Sequence, residues 1–183
     1  NFKSGEPGFQ FVENYIWYEP LNSTYHLGVD GLSLTMVLLT TLLTPIALLA
    51  SFNIQDRVKA YMALFLLLET GMLGVFMALD LLLFFVFWEI GLVPMYFLIN
   101  QWGSEKGERE VWKGFKVPAR VYASFKFMIY TMACSLGLLL AIQMIGVVSG
   151  TYDLVKLFSV WPNLKEATLF GLSTDTVKSI AFW

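Results

Sequence analysis

From Ala60 to Trp102 the chain carries only three charged side chains, Glu69, Asp80 and Glu89, in an apolar run too long for one passage through a bilayer. A hydrocarbon core of about 30 Å takes roughly 20 apolar helical residues. The run therefore reads as two antiparallel spans that turn at Asp80, the natural N-cap of the second. Stretches of similar length flank it, Gly31–Phe52 and Val121–Val148. None of the four shows the charged face of an amphipathic surface helix, and none alternates with period two as a half-buried strand does. The sequence predicts an all-α membrane protein, a polytopic transmembrane helix bundle with at least four spans. Composition agrees, since 14% of residues are charged against about 25% in a soluble domain.

Several function classes drop out. A net charge of −2 gives no electrostatic footprint for nucleic acid. The single Cys134 closes no internal disulfide, and the single His26 builds no histidine metal cluster. There is no glycine-rich phosphate loop, no CxxC pair and no Ser-His-Asp set, so no cofactor or metal is expected on this chain. The expected partners are a lipid bilayer and other membrane subunits.

Four regions follow. Residues 1–26, polar and aromatic, read as a loop or interfacial segment on the non-cytoplasmic side. Residues 27–149 form the four-helix membrane region. Residues 150–176 connect, either as a short helix lying at the interface or as an ordinary loop. Residues 177–183 open a further transmembrane helix. The start at Asn1, with no signal-peptide pattern, and the apolar stretch at the end read as an internal piece of a longer protein. Orientation comes from loop charge. Arg57 and Lys59 with Lys106, Arg109, Lys113, Lys116 and Arg120 make seven basic residues on one side, against Lys3, Lys156, Lys165 and Lys178 on the other. The richer side is expected in the cytoplasm.

Glu89 is the residue that composition does not explain. A carboxylate at the middle of a spanning helix costs on the order of 2.5–3.5 kcal/mol on insertion scales. At 1.5 Å per residue it lies roughly 12 Å past Leu81, and Glu69 lies roughly 15 Å past Lys59. Two acids on consecutive antiparallel helices thus reach similar depth, as a relay across a bilayer needs. Burial favours the neutral form of a carboxyl. A cation approaching to about 6 Å, at an effective dielectric of about 20, is worth on the order of 2.8 kcal/mol, roughly a hundredfold in proton affinity. Such a pair can take up and release a proton. Pro94, five residues on, loosens the helix there. Two readings stay open for Glu89, a protonatable centre or an acid locked to a neighbouring helix by hydrogen bonds. Lys126 reads either as a relay residue or as a lysine snorkelling to the cytoplasmic interface. Ser124, Thr131 and Ser135 lie at helical spacing and read as helix–helix glue or a water path.

The stretch Met77-Ala-Leu-Asp80-Leu-Leu-Leu-Phe-Phe-Val-Phe-Trp-Glu89-Ile-Gly-Leu-Val-Pro94-Met-Tyr-Phe-Leu-Ile resembles the subunit M (chain 4) family of proton-translocating NADH:quinone oxidoreductase, respiratory complex I. Gly28-Val-Asp30-Gly31-Leu-Ser33-Leu and Arg120-Val-Tyr-Ala-Ser-Phe-Lys126-Phe-Met-Ile-Tyr130-Thr131 add to the likeness, which runs from about residue 25 to 145. The Phe-Trp-Glu89…Val-Pro94-Met-Tyr part is specific; the helix-start motif is shared more widely among antiporter-like subunits. The resemblance implies a longer subunit of which this stretch holds the third to sixth helices and the opening of the seventh. It implies that Glu89 is the essential carboxylate of a proton channel, partnered by a lysine on the seventh helix beyond residue 183. Glu69 is the second candidate acid and Lys126 the third candidate residue. The resemblance further implies a translocase whose NADH, quinone, flavin and iron–sulfur clusters are handled by other subunits, with neighbouring antiporter-like subunits as partners; of the bacterial, mitochondrial and thylakoid membranes that could hold it, a bacterial plasma membrane is the expectation. Cys134 departs from the pattern, which has glycine there. The rival readings are a subunit of a multisubunit sodium/proton antiporter or membrane-bound hydrogenase, and a structural membrane scaffold.

Overall fold

A computed structural model describes residues 2–3, 8–104, 106–112, 114–164 and 173–182. Four helices dominate it, α1 (Gly31–Ala50), α2 (Val58–Met77), α3 (Leu81–Trp102) and α4 (Ala119–Ser149), each long and apolar enough to cross a membrane. No more than 17% of the residues in the apolar window of any of them is buried. Their hydrophobic surface faces outward, which suits lipid or neighbouring apolar helices and not water. At about 1.5 Å per residue the 31 residues of α4 measure about 46 Å, longer than the hydrocarbon core.

The helices start where their polar side chains satisfy the first backbone amides. Asp30 caps α1 through a capping box, accepting from Ser33 N at 2.7 Å while its own N–H donates to Ser33 Oγ at 2.8 Å. Those hydrogen bonds, Ser33's hydroxyl first, hold the Asp30 carboxyl below its ordinary range. Asp80 caps α3, accepting from Leu82 N and Leu83 N. Pro45 and Pro94 lie inside continuous helices. The tightest approach is between α2 and α3. A Cβ at Gly71 would stand 2.9 Å from the backbone N of Gly91, and one at Gly74 would run into the Phe87 ring. Small residues therefore let these two backbones close on each other. On α4, Gly146 is buried, while Gly137 faces outward rather than packing.

The two basic loops share one end of the bundle, as the charge count required of them. Trp102 Nε1 donates to Asp56 O at 2.9 Å, and Arg120 Nη1 donates to Gln101 O at 3.0 Å. The second of these loops contains a hairpin, β3 (Glu108–Trp112) with β4 (Phe115–Pro118), in which Glu110 faces Lys116 across the strands.

At the opposite end residues 1–26, expected as a loop, hold most of an antiparallel hairpin, β1 (Gln10–Tyr18) with β2 (Ser23–Val29). Its turn is a short 3-10 segment that Asn22 closes in the left-handed conformation at φ 52°. Only β2 has a buried side, with Ser23, His26 and Gly28 turned inward, whereas β1 is exposed almost throughout. A strand without a buried face has no reason to alternate, so the sequence pattern hid it.

Gly150 ends α4, and α5 (Leu154–Asn163) starts from the cap of Asp153, whose carboxylate accepts from Val155 N and Lys156 N. The connecting segment thus contains a helix; residues 165–172 of it lie outside the described residues. The last helix, α6 (Thr174–Phe182), begins three residues before the expected position, with Thr176 N donating to Ser173 Oγ at 3.4 Å. Its Val177 is fully buried, and Lys178 Nζ donates to Leu164 O at 3.2 Å.

Candidate proton site

Glu89 lies on the side of α3 that meets α4. Phe85 and Glu89, one turn apart, line a cleft of about 190 Å³ with Met132, Ser135 and Leu136 of α4. Among the described residues, Glu89 Oε1 and Ser135 Oγ are both buried without a hydrogen-bond partner. A buried acceptor left unmade costs roughly 1–3 kcal/mol or more, so this is a place where the fold spends stability. Among the described residues, no hydrogen bond from a neighbouring helix reaches Glu89 Oε1.

Glu69 is half-buried on α2 and makes no hydrogen bond among the described residues. It stands eight residues before Met77, as Glu89 stands eight after Leu81, so the two acids share a depth of about 12 Å from the same end. They do not share a face. Gly71 meets α3, and two helical residues turn the chain by about 200°, so Glu69 points away from α3. Lys126 is exposed on α4, its Nζ 5.9 Å from the ring centroids of both Tyr122 and Tyr130, one turn to either side. It lines a cleft of about 570 Å³ between α4 and the β3–β4 hairpin. Along the axis it stands nine residues, about 13.5 Å, from Ser135. The structure brings neither Glu69 nor Lys126 to Glu89.

Ser124 joins α3 to α4, whereas the hydrogen bond of Thr131 stays within α4. Asn100 Nδ2 donates to Ser124 Oγ at 2.9 Å, Ser124 Oγ donates to Val121 O, and Thr131 Oγ1 donates to Phe127 O. Cys134 is exposed, so the thiol found there in place of glycine meets no packed neighbour.

A second polar cluster fastens the hairpin end. Asp80, fully buried, adds to its two cap bonds a hydrogen bond from Ser23 Oγ at 3.1 Å and one from Thr24 N at 3.0 Å. The backbone at Ala78–Asp80 is stitched on both sides. Leu79 N donates to His26 O and Leu154 N donates to Leu79 O, both at 2.8 Å, and Leu81 N donates to Tyr152 O at 2.9 Å. His26 Nδ1 is 3.4 Å from Asp153 Oδ2 but poorly aligned for a hydrogen bond, and Lys156 Nζ is 3.8 Å from the same oxygen. Burial, then the charge of Asp80, pushes the Tyr152 phenol up, and its hydroxyl donates to Gln143 Oε1 at 2.9 Å. Sequence reading found Asp80 only as a cap. Its bonds to β2 join positions 56 and 57 residues apart, for which no local pattern exists.

Fold and site together define a multi-pass membrane protein of the antiporter-like class, in which an unpartnered buried carboxylate oxygen sits between two spans. The chain belongs to the family described as NADH:quinone oxidoreductase/Mrp antiporter, transmembrane, whose model matches residues 78–174. The model for the amino terminus of NADH-ubiquinone oxidoreductase chain 4 matches residues 8–79. The NADH-quinone oxidoreductase subunit M of Rhodobacter capsulatus is 42% identical over 86% of this chain and 28% of its own length. The NADH-ubiquinone oxidoreductase chain 4 of Marchantia polymorpha is 39% identical over 84% of this chain and 29% of its own. Among solved structures, respiratory complex I from Thermus thermophilus with bound NADH superposes with a TM-score of 0.66 at 26% identity, over 98% of this chain and 34% of that one. An archaeal membrane-bound sulfane sulfur reductase, with a TM-score of 0.62 and 17% identity over 93% of this chain and 25% of its own, shares the fold. The chain spans about a third or less of each of these relatives.

Proposed function

We propose that this chain is part of a proton-translocating membrane subunit of NADH:quinone oxidoreductase. In this reading, NADH oxidation by quinone takes place in other subunits, which hold the flavin and iron–sulfur clusters, and is coupled here to proton export across a bacterial plasma membrane. Neighbouring antiporter-like subunits and lipid are its partners. The observation that carries the reading is Glu89, whose Oε1 is buried and unpartnered in a cleft about 12 Å into an apolar 22-residue helix. An acid so placed is expensive unless its charge is meant to change. Glu89 is the protonatable centre. Glu69, at the same depth on another face, is a second acid that acts on it through charge rather than by direct transfer. Lys126, beside two tyrosines near the end of α4, is the third residue of the proposal and sets the local field at the basic end.

The sodium/proton antiporter reading rests on the same family model, whose description covers both machines. The chain 4 match over residues 8–79 favours the oxidoreductase. The test is NADH-driven proton uptake and quinone reduction in inverted membrane vesicles carrying the full-length subunit with Glu89→Gln. Assembly with collapse of both activities is expected, and Glu69→Gln is expected to slow uptake without abolishing it. Normal activity in Glu89→Gln would leave Glu89 a structural acid and the chain a scaffold. Loss of sodium export with intact quinone reduction would favour the antiporter.

A further inference from the structure

The hydroxyls of the four spans follow one habit, with a single exception. A serine or threonine in a helix ordinarily bonds a carbonyl of the preceding turn. Thr40, Thr44, Thr70 and Ser149 all do so, as do Ser124 and Thr131. Among the described residues of α1–α4, Ser135 is the one serine or threonine that does not, and its Oγ is buried without any partner. The residue is 5% exposed. It lines the same cleft as Glu89, whose Oε1 is the other unpartnered buried oxygen there. Two polar atoms from two helices are therefore desolvated toward one space and left beyond hydrogen-bond reach of each other.

That space is large enough to hold what would satisfy them. The cleft measures about 190 Å³, well above the roughly 10–15 Å³ one water needs. A water placed between Glu89 and Ser135 gains two polar partners, and further waters gain one another. The other walls are Phe85, Met132 and Leu136, which offer no strong competing partner. The titratable groups nearest in the argument stand off. Glu69 faces away on α2, and Lys126 is about 13.5 Å along α4.

We propose that this cleft is a water-binding site and that Ser135 is a positioning residue for Glu89, a role that rests on the proton-carrying reading of that acid. With Glu89 ionised, the Ser135 hydroxyl donates to the water and the water donates to Oε1. With Glu89 protonated, the carboxyl O–H donates to the water, and the hydroxyl turns to accept. Proton uptake breaks an O–H bond of a hydronium ion in the water chain and forms one on the Glu89 carboxylate, leaving a neutral water behind; release reverses both. The serine thus holds the bridging water at the carboxyl oxygen.

The test uses the full-length subunit in the assembled complex. Infrared difference spectra identify the Glu89 carboxyl band as the one lost in Glu89→Gln. Ser135→Ala is expected to shift that band to higher frequency and to lower proton uptake about tenfold. Ser135→Thr, which restores a hydroxyl, should return both toward wild type. If Ser135→Ala fails to assemble, Ser135→Cys, a weak donor of similar size, should give the same displacement. A Glu89 band unmoved by loss of the hydroxyl would overturn the proposal while leaving Glu89 as proton carrier. Full uptake in Glu89→Gln would instead remove the reading on which the proposal stands, and the role of Ser135 with it.

Discussion

Asp80→Ala separates a helix cap from a tertiary clamp, because this carboxylate serves as both. Oδ1 accepts from Leu82 N, Leu83 N and Ser23 Oγ, while Oδ2 accepts from Thr24 N. The cap is worth about 1 kcal/mol. The two bonds from β2 go to a charged acceptor at a residue with no exposed surface, and each is worth about 1.5–3 kcal/mol. Allowing for water entering beside the half-buried Thr24, alanine should weaken docking of the hairpin by about 3 kcal/mol, on the order of 100-fold in its opening equilibrium. Hydrogen–deuterium exchange of the assembled complex, read on peptides covering residues 23–29 and 81–84, measures this directly. Asp80→Asn sharpens the test. Its one oxygen replaces Oδ1 and keeps the cap, while its amide nitrogen confronts the Thr24 N–H, donor against donor. Asparagine should therefore accelerate exchange at β2 and leave the start of α3 protected, whereas alanine accelerates both. Wild-type protection at β2 in both variants would refute the clamp.

Other perturbations reach other parts of the bundle. A side chain at Gly74 meets the Phe87 ring, so Gly74→Val should overpack the α2–α3 seam by about 1–3 kcal/mol. A lowered thermal midpoint of the detergent-solubilised complex would report this, with activity kept in the assembled fraction. At the α1 cap, Asp30 is held below its ordinary value of 3.8 by Ser33. Its ionised form therefore stabilises the fold above that value, and the contribution is lost as pH falls through the lower folded value. Thermal unfolding followed downward from pH 6 should show a steeper acid loss in wild type than in Asp30→Asn, which has no carboxyl to protonate there.

The sequence by itself determined the spans and their number. Hydrophobic length is set by the bilayer and not by neighbours, so Gly31–Ala50, Val58–Met77, Leu81–Trp102 and Ala119–Ser149 stand within a few residues of where composition put them. The cap at Asp80 was legible too, being a local contest between a side chain and the nearest amides. Glu89 was legible because one charge in an apolar run needs no structure to be costly. Tertiary structure alone decided which polar groups meet. Depth along two helices made Glu69 and Glu89 look like a pair, but rotation about the axes set by the Gly71–Gly91 contact turned one away from the other. Both hairpins escaped the sequence: β1 and β4 have no buried residue to impose a period, and the buried positions of β2, Ser23, His26 and Gly28, are not apolar. Ser135 looked like Ser124 and Thr131 at the same spacing. Only the packing of α3 on α4 left its hydroxyl without a carbonyl and facing Glu89 across a cleft.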